Sequence, residues 1–513
     1  MSTGQISTDN RRIARNSVYL YLRLGVMTLI TLISSRLLLQ NLGISDYGVY
    51  NVVCGIVLFF SFINGTLTGG TQRYLNFSIG KNHMSYTNAI FRVALTNHLV
   101  IACIAFVIIE IIGNILLFTV INVPTERFMQ SIWVFQASAL SLVMILITVP
   151  YQATVIAYER MNIYAVMGVF DAILKLLAAA ILIVFNSDNR LIYYGFALLA
   201  ISIINFYLYK LLCIHKFYIC KFKLLWKWRL NKELLSFSGW DSIAWVSGSA
   251  SFNIINILLN IFLGTIVNAA YGIATQISGL ISQLINSFQN AINPQIVKLY
   301  AKNENVNLYK LMCNSCKYSC VLVSFFAIPI YLRVEYFLSI WLGDYPNLTP
   351  EFARIMIVQS LIIGFTRPIV NSVHATAKLK YPCIFSSLIF LFIIPLAALL
   401  LYLKVEPTIV MSINVLPWFL EGMVNMYFVR KYLGVDISTF PNKVILITLM
   451  IIAVTWSLTY FMSCILPEGL IYSIILIVFS IIIGATSTYV IGFDSDTKRM
   501  IKNTTNSIKN TNL

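Results

Sequence analysis

The chain is predicted to be an all-α integral membrane protein of about 14 transmembrane helices: two six-helix lobes in a pseudo-two-fold repeat, followed by two C-terminal helices. Three observations predict this. Apolar residues make up 59% of the chain and charged residues 11%, against roughly 45–50% and about 25% in a soluble domain. The mean hydropathy is +0.81. The apolar residues also fall in continuous runs of about twenty, the length a helix needs to cross roughly 30 Å of hydrocarbon. A membrane barrel would show short alternating segments instead. Within lipid every backbone polar group must find a partner in the chain, and a helix satisfies that requirement segment by segment.

The expected spans, in order, are 17–39, 47–70, 90–118, 131–155, 162–185, 190–212, 238–262, 266–291, 314–342, 353–375, 381–403, 407–429, 443–465 and 469–491. Charge tests the count. Cytoplasmic connections carry an excess of Lys and Arg, and alternate connections here do so. They hold Arg11, Arg12 and Arg15; Arg73 and Lys81; Arg160; the long basic stretch from Lys210 to Lys232; Lys298, Lys302 and Lys310; Lys378 and Lys380; Arg430, Lys431 and Lys443; and Lys498, Arg499 and Lys502. The other side has Arg127, Arg190 and Lys404, with Arg36, Arg333 and Arg354 near its edges. Both termini are therefore expected in the cytoplasm. The polar lead Met1–Asn16 is expected to act as a positive-inside anchor and not as a cleaved signal, because the apolar stretch after it is too long and no A-x-A site follows.

The division expected is an N-terminal six-helix lobe (1–212), a basic cytoplasmic loop (213–237), a C-terminal six-helix lobe (238–429), two additional helices (430–493) and a disordered polar tail (494–513). A short repeat links the lobes. Leu42-Gly43 is followed by Tyr47-Gly48, a helix and the basic end Arg73-Tyr74; Leu263-Gly264 is followed by Tyr271-Gly272, a helix and Lys298-Leu299-Tyr300. With six helices per lobe the copies run in parallel, related by an axis along the membrane normal.

The net charge of +17 sits between apolar runs. It orients helices and meets membrane lipids, and no nucleic-acid partner is expected. The nine cysteines are scattered. Cys313, Cys316 and Cys320 share a helix face, but no histidine or second cysteine pair completes a zinc pattern. No metal and no cofactor is expected. Catalysis also finds no support: there is no H-E-x-x-H, G-x-S-x-G or phosphate-binding glycine loop, and no connection on the outer side exceeds about twenty residues.

Polar and charged side chains inside the spans mark the candidate binding residues, because such groups are costly in hydrocarbon. Span 266–291 carries a stripe of Gln276, Gly279, Gln283, Asn286, Ser287 and Asn290; span 47–70 and its end carry Ser61, Asn64, Thr68 and Gln72; span 238–262 carries Ser242, Ser247, Ser249, Ser251, Asn253 and Asn256. Ser and Asn also serve as helix–helix glue, yet three such faces favour a wet cavity between the lobes, whose amides and hydroxyls suit a sugar. Arg23, Arg36 and Arg367 show no local partner in sequence, and unpaired arginines suit a phosphate or diphosphate. Asp171 and Lys175 form an i,i+4 pair that either neutralises itself or belongs to a functional site. The expected cavity residues are thus Arg23, Arg36, Asn64, Thr68, Gln72, Lys175, Gln276, Gln283, Asn290 and Arg367, with Asp171, Asp241 and Glu421 as candidates for ion coupling and no catalytic residue. His98 and His374 are expected to be structural. Prolines at Pro150, Pro294, Pro329, Pro368, Pro395 and Pro417 offer kinks for alternating access.

The stretch Ser34-Ser35-Arg36-Leu37-Leu38-Leu39-Gln40-Asn41-Leu42-Gly43-Ile44-Ser45-Asp46-Tyr47-Gly48-Val49-Tyr50 resembles the start of Wzx-type polysaccharide or O-antigen flippases of the multidrug/oligosaccharidyl-lipid/polysaccharide (MOP) exporter superfamily. The helix count, the central basic loop and the two-lobe repeat agree with that resemblance over nearly the whole chain. The resemblance implies a multi-pass protein of the bacterial inner membrane that moves undecaprenyl-diphosphate-linked oligosaccharides across it, for O-antigen or capsule, by alternating access through a cationic cavity. It implies that Arg23 and Arg36 face that cavity, and it brings a polysaccharide polymerase and chain-length machinery as expected partners. Two alternatives stand beside it: a MATE-like small-molecule or drug antiporter, which would favour an acidic cavity, and a membrane polymerase or ligase acting on the same lipid, which the short outer connections disfavour.

Overall fold

Glycines with positive φ mark four of the helix breaks: Gly43, Gly264, Gly343 and Gly434. The computed structural model describes the backbone of residues 3–58, 60, 71–72, 74–75, 78–79, 84–158, 160–185, 187–221, 223–237, 239–376 and 378–493, and their side chains except those of 3–22, 24, 58, 187, 233–245, 290–291, 294, 298 and 301. The helices are α1 (Thr3–Leu58), α2 (Met84–Thr119), α3 (Phe128–Ala157), α4 (Met161–Ile181), α5 (Arg190–Lys216), α6 (Trp228–Phe237), α7 (Gly239–Leu263), α8 (Thr265–Ala301), α9 (Asn305–Leu332), α10 (Val334–Leu342), α11 (Thr349–Ala375), α12 (Lys380–Tyr402), α13 (Pro407–Ile413), α14 (Leu416–Leu433), α15 (Ile447–Ile465) and α16 (Leu470–Ser487). No strand occurs among the described residues.

Among the described residues, 12 stretches are long and apolar enough to cross a membrane. They fit the fourteen helices expected, for two reasons. Gly25–Val57 joins the first expected span to the start of the second. And α8, 37 residues long, is made less apolar by its amide and hydroxyl stripe. The remainder of span 47–70, with Ser61, Asn64 and Thr68, lies outside the described residues, as do the side chains of Asp241, Ser242 and Asn290 and the tail after 493. The chain is a multi-pass membrane protein.

The chain forms two compact units. The first is Met1–Gly272 with Trp341–Asn347 and Phe390–Pro407; the second is Ile273–Ile340, Leu348–Ile389 and Thr408–Leu513.

In the first unit α3 packs along α5 and α1 along α4. Two fully enclosed apolar clusters hold it, one around Val52, Phe135 and Leu146, the other around Phe91, Tyr151 and Cys213. The Leu-Gly repeat is one backbone event used twice. Gly43, inside α1, has φ +80° and ψ 168°, and Gly264, between α7 and α8, has φ +84°. Holding a residue with a side chain at such a positive φ costs about 1–3 kcal/mol. Counted from these glycines, Tyr50 and Tyr271 fall at the same position, so the structural register of the repeat differs by three residues from the Tyr47-Gly48/Tyr271-Gly272 match. The equivalent tyrosines have different surroundings. Tyr271 donates to the Phe252 carbonyl at 2.9 Å, whereas Tyr50 meets Tyr194 edge-on with centroids 5.2 Å apart.

The C-terminal part of the polar face of α7 meets other amides. Asn256 Nδ2 donates to the Asn51 carbonyl at 3.2 Å. Asn268 Nδ2 donates to Asn256 Oδ1 and to its carbonyl, both at 2.7 Å, and Asn260 Nδ2 donates to Asn268 Oδ1 at 2.8 Å. Asn256, Asn260 and Asn268 are all buried, and each amide that satisfies another removes a desolvation cost of about 1–3 kcal/mol. Nearby, Asp46 pairs with Arg127 Nε at 3.0 Å, and Arg190 Nη1 donates to the Asn41 carbonyl at 2.9 Å.

In the second unit α9 packs along α11, and α11 along α14, around Met312, Val373 and Phe428. Expected span 314–342 is two helices, α9 beginning earlier at Asn305 and α10 following Arg333. Buried Lys317 donates to the Gly492 carbonyl at 3.4 Å. Buried Arg333 donates to the carbonyls of Ser463 at 3.2 Å, Leu466 at 2.6 Å and Pro467 at 3.0 Å. These are orphan carbonyls at the end of α15, where a cation also meets the negative end of the helix dipole. Expected span 407–429 breaks at Asn414–Val415, with Pro417 in the first turn of α14.

Candidate functional site

Four helices of the first unit enclose a cavity of about 520 Å³, within the range of a small-ligand pocket. Each helix presents one face at helical spacing. From α3 come Ser138, Ser141, Ile145, Thr148 and Gln152; from α4, Tyr164, Gly168, Asp171 and Lys175; from α5, Tyr194, Leu198, Ser202, Asn205 and Tyr209; from α1, Arg23, Met27, Tyr50, Cys54 and Val57.

The charged residues have unequal partners. Lys175 Nζ meets Asp171 Oδ2 at 2.8 Å, and Asn205 Nδ2 donates to Asp171 Oδ1 at 2.7 Å. Both carboxylate oxygens are therefore engaged. Arg23 has no such carboxylate among the described residues. Its Cζ lies 4.3 Å from the centroid of the Tyr164 ring, a cation–π contact, and its buried Nε has no hydrogen-bond partner. Gly168 makes this placement feasible: a Cβ there would overlap Arg23 Nε and lie 3.1 Å from Cζ. With two cations and one carboxylate, the cavity carries a formal charge of +1.

The remaining lining suits a hydroxyl-rich ligand. Ser141, Thr148 and Ser202 donate to backbone carbonyls of their own helices at 2.8 Å, 2.6 Å and 2.8 Å, which leaves their oxygens as acceptors. Tyr50, Tyr164, Tyr194 and Tyr209 add flat apolar faces, each with a polar tip.

Of the residues singled out from sequence, the cavity brings together Arg23, Asp171 and Lys175. Arg36 is exposed, Gln72 and Gln276 are half-buried and Gln283 is exposed, and none of them lines it. Asn64 and Thr68, and the side chains of Asn290 and Asp241, lie outside the described residues. Arg367 and Glu421 both belong to the second unit. Glu421 is buried, accepts a hydrogen bond from Ser386 and feels the charge of Arg367. Arg367 also lies 5.9 Å from the Trp418 ring centroid. The hydroxyl and tyrosine faces of α3 and α5 were missed, although their spacing of three and four residues is written in the chain. Glu110 was also missed. Its Oε2 accepts from Asn114 at 3.0 Å and Gln136 at 2.9 Å. His98 bonds the Ala94 carbonyl through Nδ1 at 2.7 Å. Among the described residues no cluster of three or more His, Cys, Asp or Glu side chains is placed to hold a metal ion.

Neither family models nor curated protein sequences match the chain. Solved structures do. The chain resembles an inward-facing multidrug resistance MATE family transporter of the MOP superfamily, with TM-score 0.65 and 14% identity over 82% of this chain and 98% of the other. It resembles a MATE in complex with MaD3S, with TM-score 0.60 and 13% identity over 82% and 96%. It also resembles a MOP superfamily transporter from Pyrococcus furiosus, described as having a binding pocket of reverse polarity that suggests a different function, with TM-score 0.59 and 13% identity over 82% and 95%. At these identities the likeness establishes the fold, which is that of MATE transporters.

Proposed function

We propose that this chain is a flippase of the Wzx type, carrying polyprenyl-diphosphate-linked oligosaccharide across the bacterial inner membrane, with both termini in the cytoplasm. The observation that carries this reading is the cavity: Arg23 offers an uncommitted guanidinium, while the serines, amides and tyrosines around it suit a sugar. A guanidinium grips phosphate oxygens through parallel N–H bonds. The MATE fold supports a transport role, and one neighbour of that fold, from Pyrococcus furiosus, is described as having a pocket of reverse polarity that suggests a different function. In this reading Arg23 binds the diphosphate, Lys175 adds positive potential, and Asp171 is the titratable partner that links cargo to an ion gradient. Arg36, Arg367, Gln72, Gln276 and Gln283 remain candidate contacts along the path. No step of covalent chemistry is involved.

The second reading, a small-molecule antiporter, is favoured by one observation: Asp171 lies in the cavity and would hold a cationic drug once Lys175 moved away. Reconstituted protein separates the two. The flippase reading expects a lipid-linked oligosaccharide placed in one leaflet to become accessible to a glycosidase on the other side, and expects Arg23→Ala to abolish this while Arg23→Lys retains part of it. Equal rates for the wild type and Arg23→Ala refute that reading; cation efflux that survives Arg23→Ala and is lost in Asp171→Asn establishes the antiporter instead.

A further inference from the structure

We infer that residues 217–232, between α5 and α7, form a membrane-surface band that binds anionic phospholipid headgroups of the leaflet beside it. This inference is independent of the cargo. The segment contains no carboxylate, since none occurs between Asp188 and Glu233. It is also no loose connection. Phe217 stacks on Tyr158, with centroids 4.7 Å apart and ring planes at 27°. Ile219 and Cys220 are buried against the cluster that holds Tyr151 and Cys213. The Leu225 amide donates to Thr96 Oγ1 at 2.9 Å. At its far end Asn231 is buried.

One side of the segment is thus fixed to the first unit, and that fixes what the other side presents. Tyr218 is 73% exposed, Trp226 56% and Trp228 72%, and the exposed ammonium groups of Lys221, Lys223, Lys227 and Lys232 are interleaved with them. Lys221 Nζ lies 4.7 Å from the Tyr218 ring centroid, so cation and aromatic ring point the same way. Indoles held out in water would be costly; at the level of lipid headgroups they are favoured. Lysines beside an anionic leaflet each strengthen the attachment roughly fivefold. Rings at the acyl boundary with ammonium groups among phosphates is the arrangement of an interfacial amphipathic segment. Charge complementarity selects an anionic surface over a zwitterionic one.

The test uses the full-length protein in nanodiscs that contain phosphatidylglycerol or phosphatidylcholine brominated near the headgroup, at equal mole fraction. The quenching lost in Trp226→Phe/Trp228→Phe isolates the signal of the band. Brominated phosphatidylglycerol is expected to quench that signal several-fold more than brominated phosphatidylcholine, with the difference shrinking as salt rises. Replacing Lys221, Lys223, Lys227 and Lys232 together by Gln should remove the preference. Replacing the same four by Arg should keep it, which separates loss of charge from loss of fold. Equal quenching by the two lipids in the wild type, a preference that survives the Gln variant, or a preference lost in the Arg variant would each overturn the inference.

Discussion

The Arg23 guanidinium carbon lies 4.3 Å from the centroid of the Tyr164 ring, and the absent side chain of Gly168, one turn along α4, leaves the space it fills. A cation–π contact of this kind contributes about 0.5–2 kcal/mol, and overfilling a packed site costs about 1–3 kcal/mol. Gly168→Ala should therefore displace Arg23 and reduce flipping of a diphosphate-linked glycan at least as much as Tyr164→Ala, roughly tenfold or more. Tyr164→Phe, which keeps the ring, should stay near wild type. Initial rates in proteoliposomes, normalised to reconstituted protein, decide this. A Gly168→Ala variant with the wild-type rate would mean that transport does not depend on where Arg23 sits.

Asp171 is held from both sides, by Lys175 and by Asn205. The lysine is about half exposed, so the ion pair itself adds little to stability, roughly 0–1 kcal/mol. Its importance is electrostatic. Asp171→Asn raises the formal charge of the cavity from +1 to +2, and the KM for an anionic cargo should fall severalfold while dependence on an imposed ion gradient is lost. Transport assayed with and without the gradient reports both. A higher KM would mean that the cavity does not receive the anion.

The two left-handed glycines should be costly to replace. Gly43→Ala and Gly264→Ala should each lower stability by about 1–3 kcal/mol, seen as a reduced midpoint in thermal unfolding of the detergent-purified protein. Gly25 provides the control: it is helical, and a methyl group added there would meet no atom within 4 Å. Gly25→Ala should be neutral or stabilising by about 0.5–1 kcal/mol.

Arg127→Ala would leave Asp46, 5% exposed, without its 3.0 Å partner. The expected loss is about 1–3 kcal/mol, the cost of a buried charged group deprived of its hydrogen bond. Double substitution with Asp46→Asn should recover part of it. If the double variant is as unstable as the single one, the pair is not what holds Asp46.

Apolar run length and the alternation of Lys and Arg were enough to read the helices in the chain, because lipid leaves a spanning segment no other solution. The misplaced start of α9 is instructive. Lys310 argues against a span that begins before 314, yet the helix runs on through it from Asn305; Lys317, inside the expected span, is buried because a carbonyl from Gly492, 175 residues away, receives it. No local pattern contains that partner. The charged part of the site was legible for the reason that the helices were: Arg23, Asp171 and Lys175 stand out in apolar runs. Ser138, Ser202, Tyr194 and Tyr209 do not, since such residues are common in membrane helices and only the packing of α3 and α5 onto α4 turns their faces to one space. The asparagines of α7 were legible as a polar face, but whether such a face meets water or another amide depends on Asn51 and Asn268, which sequence spacing alone does not bring together.

Arg333 and Lys317 give the final pair of helices an obligation. One cation closes the end of α15 and the other reaches the carbonyl of Gly492 just beyond α16. A shortened chain that stopped after α14 would strand both positive groups in an apolar interior with nothing to accept their protons. Removing everything after α14 would therefore not yield a trimmed twelve-helix carrier but a protein that has lost the acceptors of Lys317 in α9 and of Arg333 just after it, and any experiment on a minimal version must first neutralise those two side chains.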